Sequence, residues 1–270
     1  MSTSTESRFN TQRRAPSSSS LIWELPRVLS EVSRLGFSWP ILLRQAPPGD
    51  GHPVMVLPGF LGGDDSTLIL RQFLTRLGYA TLPWLHGRNV GNPHQFDGAL
   101  LRFYRAHQKS GEKISLIGQS LGGIYAREIS RRLPNAVRCV ITLGSPFAGG
   151  DDEHTANPLV RQMFERLSGH TAAEMRQRMF DHDDPRAPLG LPSTAIYSKT
   201  DGVAAWLSCV DRESELAENV EVRASHTGMA MNPDVLHVVA DRLAQDPSDW
   251  RRFDRTQGCR YWIYPEPSSA

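Results

Sequence analysis

One serine of this chain stands in a pattern that can supply a nucleophile. Residues 118–122 read Gly-Gln-Ser-Leu-Gly, which places Ser120 at the centre of a G-x-S-x-G motif. The apolar run 113–117 precedes the motif, and apolar residues then recur at helical steps, at Leu121, Tyr125, Ile129 and Leu133. A serine between a strand and a helix, with flanking glycines that allow close approach, lies on a strained turn that exposes its hydroxyl. The pattern predicts a nucleophilic Ser120, and the plain alternative is a serine that caps a helix.

The elements that must hold this serine alternate between strands and helices. Apolar runs predict strands at 53–57, 79–84, 113–117, 137–143, 193–198 and 220–224. Besides the helix after the motif, helical spacing predicts helices at 67–77, 96–107 and about 233–243. Strands separated by helices are typical of βαβ units. We therefore predict an α/β fold, with a mostly parallel sheet of about six strands, helices on both faces and a site at its carboxyl edge.

Composition agrees with such a fold and argues against other classes. The 270 residues are 39% hydrophobic, which fits one domain at 46–246 with a C-terminal extension at 247–270. The 30 Lys and Arg residues nearly balance 29 Asp and Glu residues, so no basic excess indicates nucleic acid binding. The three cysteines are widely spaced and favour reduced thiols in the cytoplasm over a disulfide framework. No apolar run is long enough for a spanning helix.

On these motifs the chain resembles an α/β-hydrolase of the lipase and esterase kind, over about residues 53–243. The resemblance rests on the serine motif, on Leu-Pro-Gly-Phe-Leu-Gly at 57–62, and on Leu-Gly-Ser-Pro at 143–146. It implies the α/β-hydrolase fold without the early antiparallel strands, together with a helical cap. It also implies a serine carboxylic-ester hydrolase that uses no cofactor and no metal.

The resemblance further implies that serine, acid and histidine follow one another along the chain. Asp201 comes after the fifth predicted strand and His226 after the sixth, so both are expected to join Ser120. His226 would take the proton of Ser120, and Asp201 would fix the tautomer of the imidazole. Asp211 and Glu213 are rival acids, less well placed because they fall in a connection.

Two backbone N–H groups are expected to form an oxyanion hole. Leu121 follows the nucleophile, and its N–H would point into the same space. In the lipases that this chain resembles, the second donor is the residue after the glycine of a His-Gly-X loop. That residue corresponds to Phe60, with Leu61 as the fallback. Pro58 stands where the histidine is expected, so the backbone donor remains but the loop must be braced differently.

The long connection at about 147–191 is expected to form a cap over the serine. Its apolar residues fall on two possible helices, and four of them are predicted to line an acyl-chain pocket above Phe60: Met163, Phe164, Met175 and Phe180. The alternative is that these faces only pack on the sheet. The runs of acidic residues and histidine at 151–154 and 181–184 are interpreted as solvated loops rather than metal sites.

The segments outside the domain carry their own signals. Residues 1–20 are rich in serine and threonine and are expected to be a disordered tail. Residues 21–45 predict an amphipathic helix, with apolar residues at helical spacing at Leu25, Val28, Leu29, Val32 and Leu35. Such a face packs on the core or, through 21–43, contacts a membrane surface or a partner. Residues 260–264 predict an edge strand or a packed extension.

Three functions stay open at this point. Hydrolysis of an acyl ester, in a small molecule or a lipid, proceeds through an acyl-enzyme. An acyltransferase or a thioesterase shares the same chemistry up to that intermediate, so sequence does not separate them. A non-catalytic binding protein on the same fold is the third possibility, and the presence of all three candidate catalytic residues argues against it.

Overall fold

A computed structural model describes residues 15–149, 155–179 and 184–266 of the chain. In this part of the chain six strands form one sheet: β1 (Pro53–Leu57), β2 (Ala80–Leu82), β3 (Ile114–Gln119), β4 (Val137–Leu143), β5 (Ser193–Tyr197) and β6 (Ala217–Glu221). Every neighbouring pair is parallel, and the spatial order is β2-β1-β3-β4-β5-β6. The predicted α/β fold with a six-stranded parallel sheet is confirmed.

Helices cover both faces of this sheet. In chain order they are α1 (Ser18–Ile22), α2 (Glu24–Gln45), α3 (Leu68–Leu77), α4 (Pro93–Ser110), α5 (Leu121–Arg132), α6 (Pro158–Ser168), α7 (Ala172–Met179), α8 (Pro233–Leu243) and α9 (Arg260–Ile263). Helices α2, α3 and α8 contribute to one buried core cluster, and α4, α5 and α7 contribute to the other. Helices α6 and α7 form the cap, in the connection between β4 and β5.

Strand β1 shows why the apolar runs were a sound guide to the sheet. Val54 and Val56 belong to one core cluster, whereas Met55 and Leu57 belong to the other. Successive side chains of a strand point to opposite faces, so a strand covered on both sides must be apolar throughout. A run of this kind predicts a strand buried on both faces, as β1, β3 and β5 are, and the residue after it lies at the carboxyl edge.

Helix α4 is longer at both ends than the predicted 96–107 because its caps extend it. The Asn92 side chain accepts the His94 N–H at 2.9 Å, and Pro93 occupies the first helical position, where its missing N–H costs nothing. At the other end Gly111 adopts a left-handed conformation with φ of 71°. These capping residues determine where α4 begins and ends, and the buried residues of α4 pack beneath β3.

Strand β6 lies three residues earlier than the predicted 220–224. It contains buried charged residues, which a search for apolar runs passes over. Glu218 bonds Arg242 Nη1 at 2.9 Å, and Glu221 accepts the Tyr197 hydroxyl at 3.1 Å. A buried charge is tolerated when it is paired and hydrogen-bonded. The shift leaves four residues between the end of β6 and His226, so His226 lies on a loop beyond the strand.

The segments before and after the sheet differ in part from the structure predicted for them. The edge strand at 260–264 was the wrong alternative, because the segment forms α9 and then packs through Tyr264. Tyr264 is buried, and its hydroxyl donates to the Asp234 carbonyl at 3.0 Å. Of the tail expected at 1–20, residues 1–14 lie outside the described residues, and α1 begins at Ser18. None of the helices in the described ranges combines the length and apolar character that a membrane crossing requires.

Helix α2 forms as predicted but presents a different face to the domain. Glu24 and Glu31 are buried, whereas most of the predicted apolar face is exposed, at Leu25, Leu29 and Val32. Leu35 and Leu42, further along the helix, do reach the core. The interpretation of the whole apolar face as packing on the core is therefore wrong for the first half of the helix. The reason is that α2 crosses polar loops there, whose backbone N–H groups bind the two carboxylates.

Candidate active site

Ser120 occupies a strained turn between β3 and α5. Its φ of 50° and ψ of −120° lie in a region that residues with a side chain rarely adopt. The Ser120 N–H donates to the Leu143 carbonyl of β4 at 2.8 Å, which anchors the turn to the sheet. A β-carbon at Gly118 would collide with the Gly122 carbonyl, so the glycines of the motif are needed for this approach. The serine lies at the carboxyl edge of the central strand.

Asp201 and His226 form a buried pair at the same edge of the sheet. Asp201 lies in the loop after β5, which we call the acid loop (residues 198–204). His226 lies in the loop after β6, the histidine loop (residues 222–228). His226 Nδ1 and Asp201 Oδ2 are 2.6 Å apart, and Asp201 Oδ1 accepts the N–H groups of Val203 and Ala204 at 2.8 and 2.7 Å. Backbone N–H groups therefore hold the carboxylate in place through Oδ1, and Oδ2 in turn orients the imidazole.

Gln119, the residue before Ser120, ties the serine turn to the histidine loop. Its side-chain amide donates to the carbonyl of His226 at 2.9 Å and to that of Thr227 at 3.4 Å. Within the described part of the chain, the Ser120 hydroxyl makes no hydrogen bond to His226. In unliganded enzymes such bonds are often long and tighten when substrate binds. The structure brings the three predicted residues to one edge, with the bond between acid and histidine already formed.

The surroundings of His226 favour its protonated form. Burial, the largest effect, would lower the pKa of the imidazole, but the charge and hydrogen bond of Asp201 and the charge of Glu24 oppose it. Together they raise the pKa of His226 above its ordinary value. A histidine that receives a proton during a reaction benefits, because the imidazolium that forms is stabilised.

The loop after β1 (residues 58–62), which we call the oxyanion loop after the role predicted for Phe60, lies directly against the serine. A β-carbon at Gly59 would lie 3.1 Å from Ser120 Cβ, so any larger residue would push the two backbones apart, and glycine allows their close approach. The next residue, Phe60, and Leu121 after the serine are the two predicted oxyanion donors. Among the described residues, neither of their N–H groups has a hydrogen-bond acceptor.

Asn89 braces this loop, in which Pro58 stands in place of the expected histidine. The Asn89 side-chain amide donates to the Pro58 carbonyl at 2.9 Å, and the Asn89 N–H donates to the Gly62 carbonyl at 2.7 Å. The Asn89 carbonyl accepts the Leu61 N–H, also at 2.7 Å. The fallback donor Leu61 is therefore occupied, which leaves Phe60 as the candidate in this loop.

Known structures share this arrangement of strands and helices. Lipase B of Aspergillus fumigatus is similar with a TM-score of 0.55 and 16% identity, over 77% of this chain and 59% of that one. Two structures of the pyrethroid hydrolase PytH give TM-scores of 0.53 and 0.50 at 15% identity, each over 74% of this chain and all of PytH. This chain has the α/β-hydrolase fold.

The likeness concerns the fold, since identity is low and this chain spans less than two thirds of the lipase. No protein-family model matches the sequence, and no curated protein matches it. The activity of this chain therefore depends on its own residues and not on the fold alone.

Phe164 of the cap lies over the oxyanion loop of the α/β-hydrolase domain. The rings of Phe164 and Phe60 meet edge to face, with centroids 5.3 Å apart. Met175 of α7 is buried in the core cluster against which Phe164 and Leu121 also pack. An apolar surface therefore extends from the oxyanion loop to the cap, on the side of the sheet that carries α4 and α5.

Met163 does not join this surface, although sequence placed it in the pocket. It is 46% exposed, and it lies on the outer face of α6 in line with two other exposed residues, Leu159 and Leu167. Residues four apart share a helix face, whereas Phe164, the next residue after Met163, lies on a different face that is turned towards the domain. Phe180, the fourth predicted pocket residue, lies outside the described residues.

The rival acids of the α/β-hydrolase domain have other partners. Asp211 Oδ2 is 2.5 Å from Arg127 Nη1, in a fully buried ion pair. Glu213 pairs with Arg252 at 2.9 Å on the surface. Among the described residues no group of three or more His, Cys, Asp or Glu side chains could hold a metal ion. The runs 151–154 and 181–183 lie outside those residues.

Sequence reasoning missed three polar residues that hold the site loops. Gln119 binds the histidine loop, Asn89 binds the oxyanion loop, and Glu24 of α2 accepts the His226 N–H at 3.2 Å. Each bond joins positions 31 to 202 residues apart in the chain, so no local motif points to it. The one available signal was a pair of glutamates, Glu24 and Glu31, two helical turns apart on α2.

Proposed function

We propose that this chain is a serine carboxylic-ester hydrolase. Ser120 is the nucleophile, His226 the general base and acid, and Asp201 the residue that holds His226. The observation that carries this proposal is the strained serine turn at the same sheet edge as the 2.6 Å bond between His226 and Asp201. That combination serves acyl transfer, because a weak hydroxyl nucleophile needs an adjacent, oriented base.

In the proposed acylation step Ser120 Oγ bonds to the acyl carbon while its proton passes to His226 Nε2. The carbonyl oxygen becomes an oxyanion, which the N–H groups of Phe60 and Leu121 stabilise. The C–O bond to the alcohol then breaks, and the alcohol leaves with the proton from His226. Water attacks the acyl-enzyme by the same route, and the carboxylic acid is released.

The proposed substrate is an ester with an apolar acyl group, in a small molecule or a lipid. The contact between Phe60 and Phe164 beside the buried Met175 supports an apolar acyl site next to the oxyanion loop.

A chain-length series of acyl esters and thioesters, assayed with and without alcohol acceptors, tests the reaction class. Faster turnover of thioesters, or product found mainly on the acceptor, would favour a thioesterase or an acyltransferase. A protein that neither labels with a fluorophosphonate nor turns over any member of the series would be a binding protein.

Asp201→Asn is expected to lower kcat by about 10⁴, the loss found when the imidazole is held in the wrong tautomer. The asparagine oxygen still accepts the N–H groups of Val203 and Ala204, but its NH₂ then faces His226 Nδ1 and forbids a proton there. Steady-state ester hydrolysis with thermal melting measures both effects. The exposed rival acid provides the control: Glu213→Gln should leave kcat unchanged. A loss below tenfold for Asp201→Asn would contradict the role of Asp201.

We also propose that the outer face of α2 binds an anionic lipid surface on the cytoplasmic side of a membrane. Seven large apolar residues of α1, α2 and the residue between them are exposed: Ile22, Trp23, Leu25, Leu29, Val32, Phe37 and Ile41. Both acidic residues of α2 are buried, and Arg34 pairs with Asp234 of α8 at 2.9 Å, which leaves Arg44 as the exposed charge with no acidic partner among the described residues. An apolar face with a cation beside it and no exposed acid complements anionic headgroups. The three free thiols agree with a reducing compartment.

Phe37→Glu is expected to weaken binding to vesicles that contain phosphatidylglycerol by at least about tenfold. Phe37 is 87% exposed, and burying a phenylalanine contributes about 1.5–3 kcal/mol, which the glutamate forfeits while adding repulsion. Co-sedimentation with these vesicles measures the fraction of protein that is bound. Tyr104→Glu, at an exposed position of α4 on the opposite face of the sheet, is the matched control. Wild-type protein that stays in the supernatant, or equal binding by Phe37→Glu, would overturn this proposal.

A further inference from the structure

Two carboxylates of α2 are buried where the helix crosses the loops of the site. Glu24 is 6% exposed and Glu31 is 5% exposed. A buried carboxylate is costly unless hydrogen-bond donors surround it. The hydrogen-bond donors around both carboxylates come from the acid loop, the histidine loop and Asn232 just beyond it.

Glu24 joins the acid loop to the histidine loop with one side chain. Its Oε1 accepts the Gly202 N–H at 2.8 Å and the His226 N–H at 3.2 Å. Its Oε2 accepts the Thr227 N–H at 3.1 Å. Gly202 is the residue after Asp201, so the backbones that carry the acid and the base share one acceptor. The distance between those backbones therefore depends on Glu24.

Glu31 and Arg27 extend the same contact on the same side of α2. Glu31 accepts the N–H of Ser225 at 2.6 Å, its hydroxyl at 2.5 Å, and the Asn232 side-chain amide at 3.1 Å. Arg27 Nη1 donates to the Thr200 carbonyl at 2.5 Å. Positions 24, 27 and 31 fall on one helix face. The residues before and after His226 and Asp201 are thus held from α2.

The loops are shaped to receive these side chains. A β-carbon at Gly228 would collide with the Glu31 carboxylate, and one at Gly202 would lie 2.9 Å from Glu24 Oε1. Neither glycine has a positive φ, so close approach to the helix, and not an unusual backbone conformation, is what requires glycine there.

We propose that α2 contributes to catalysis by holding the loops of the active site. Glu24 and Glu31 are positioning residues that orient His226 towards Asp201 and Ser120. This inference rests on the proposed function and goes beyond it, because it makes an N-terminal helix outside the sheet a determinant of catalysis.

The charge of Glu24 gives this inference a signature that packing alone would not. The charged groups that face His226 are Asp201 from the acid loop and Glu24 from α2, with Glu31 one residue away through Ser225. Burial lowers the pKa of His226, whereas both Asp201 and Glu24 raise it. Removing the charge of Glu24 therefore lowers that pKa. The neutral imidazole, which acts as the base, then persists to lower pH. The acidic limb of the pH profile of kcat/KM therefore shifts to lower pH.

Glu24→Gln is the direct test, with rates expressed per active site titrated by fluorophosphonate. We expect kcat to fall by about 10- to 100-fold, by analogy with the loss found when hydrogen-bond partners that orient a metal-bound histidine are removed. KM should change little, and the acidic limb should shift to lower pH. Glu24→Asp keeps the charge but is too short to span both loops, so kcat should fall while the limb stays. Glu213→Gln removes an exposed charge and should change neither quantity.

A readout without turnover separates this inference from the proposed function. In a Ser120→Ala background, the NMR titration of the His226 imidazole should move to lower pH when Glu24→Gln is added. A wild-type protein without hydrolase activity would reject the proposed function, and the titration would still decide the role of Glu24. Glu24→Gln with a lowered melting temperature but unchanged kcat per active site, unchanged limb and unchanged titration would overturn the inference.

Discussion

Ser120→Ala is expected to abolish ester hydrolysis, with a loss of about 10⁶ in kcat, and to leave the fold intact. The variant lacks the oxygen that bonds to the acyl carbon, and no neighbouring group replaces it. The fold should persist because the turn is held by the Ser120 N–H and by close glycine contacts, which alanine keeps. Hydrolysis of a short acyl ester measures the loss, and mass spectrometry locates a fluorophosphonate adduct on the wild-type protein.

Ser115→Ala is the matched control for this experiment. Ser115 lies near the start of β3, the strand that Ser120 follows, and its hydroxyl forms a hydrogen bond of 2.8 Å with a histidine, His52. It is fully buried at the amino edge of the sheet, so its loss should lower the melting temperature and spare activity. Ser120→Ala activity within a few-fold of wild type, or an adduct on another serine, would contradict the assignment of the nucleophile.

The parts of the site that sequence predicted are those that follow strands. Ser120, Asp201 and His226 each come a few residues after an apolar run, and parallel strands bring such residues to one edge. That inference needs only the number and direction of the strands. It stayed correct for His226 although the limits of β6 were wrong by three residues.

The parts that sequence missed are polar groups buried by long-range contacts. Glu24 and Glu31 interrupt an apolar pattern, and a charge in such a pattern is ordinarily solvated. Here the free N–H groups of two loops bind both carboxylates, so the polar face of α2 turns inward and its apolar face outward. Periodicity located the helix but carried no information about which face the loops would need.

The cap shows the same limit for apolar residues. Met163 and Phe164 are neighbours in sequence and equally apolar, yet only Phe164 reaches Phe60. The choice depends on how α6 is rotated over the domain. Tertiary contacts set that rotation, among them the bond of 2.7 Å from the Asn157 N–H, just before the helix, to the Val203 carbonyl of the acid loop.

His226→Ala is expected to match the loss for Ser120→Ala, at about 10⁶ in kcat, because nucleophile and base act as a unit. The double variant should lose little more than either single variant. The chain contains a strict control in His52, which bonds both an acid and a serine: its Nδ1 is 2.5 Å from Asp50 Oδ1, and its Nε2 is 2.8 Å from Ser115 Oγ.

The surroundings of the two histidines differ in ways that decide their roles. His52 precedes β1 at the amino edge, against a serine with no exposed surface, and its pKa is lowered, chiefly by burial. His226 lies beside the strained serine turn, and Asp201 and Glu24 overcome the effect of burial and raise its pKa. Hydrolysis rates and melting curves of both alanine variants separate the roles. His52→Ala should lose stability and keep activity within a few-fold, whereas an inactive His52→Ala beside an active His226→Ala would move the reaction to the other edge of the sheet.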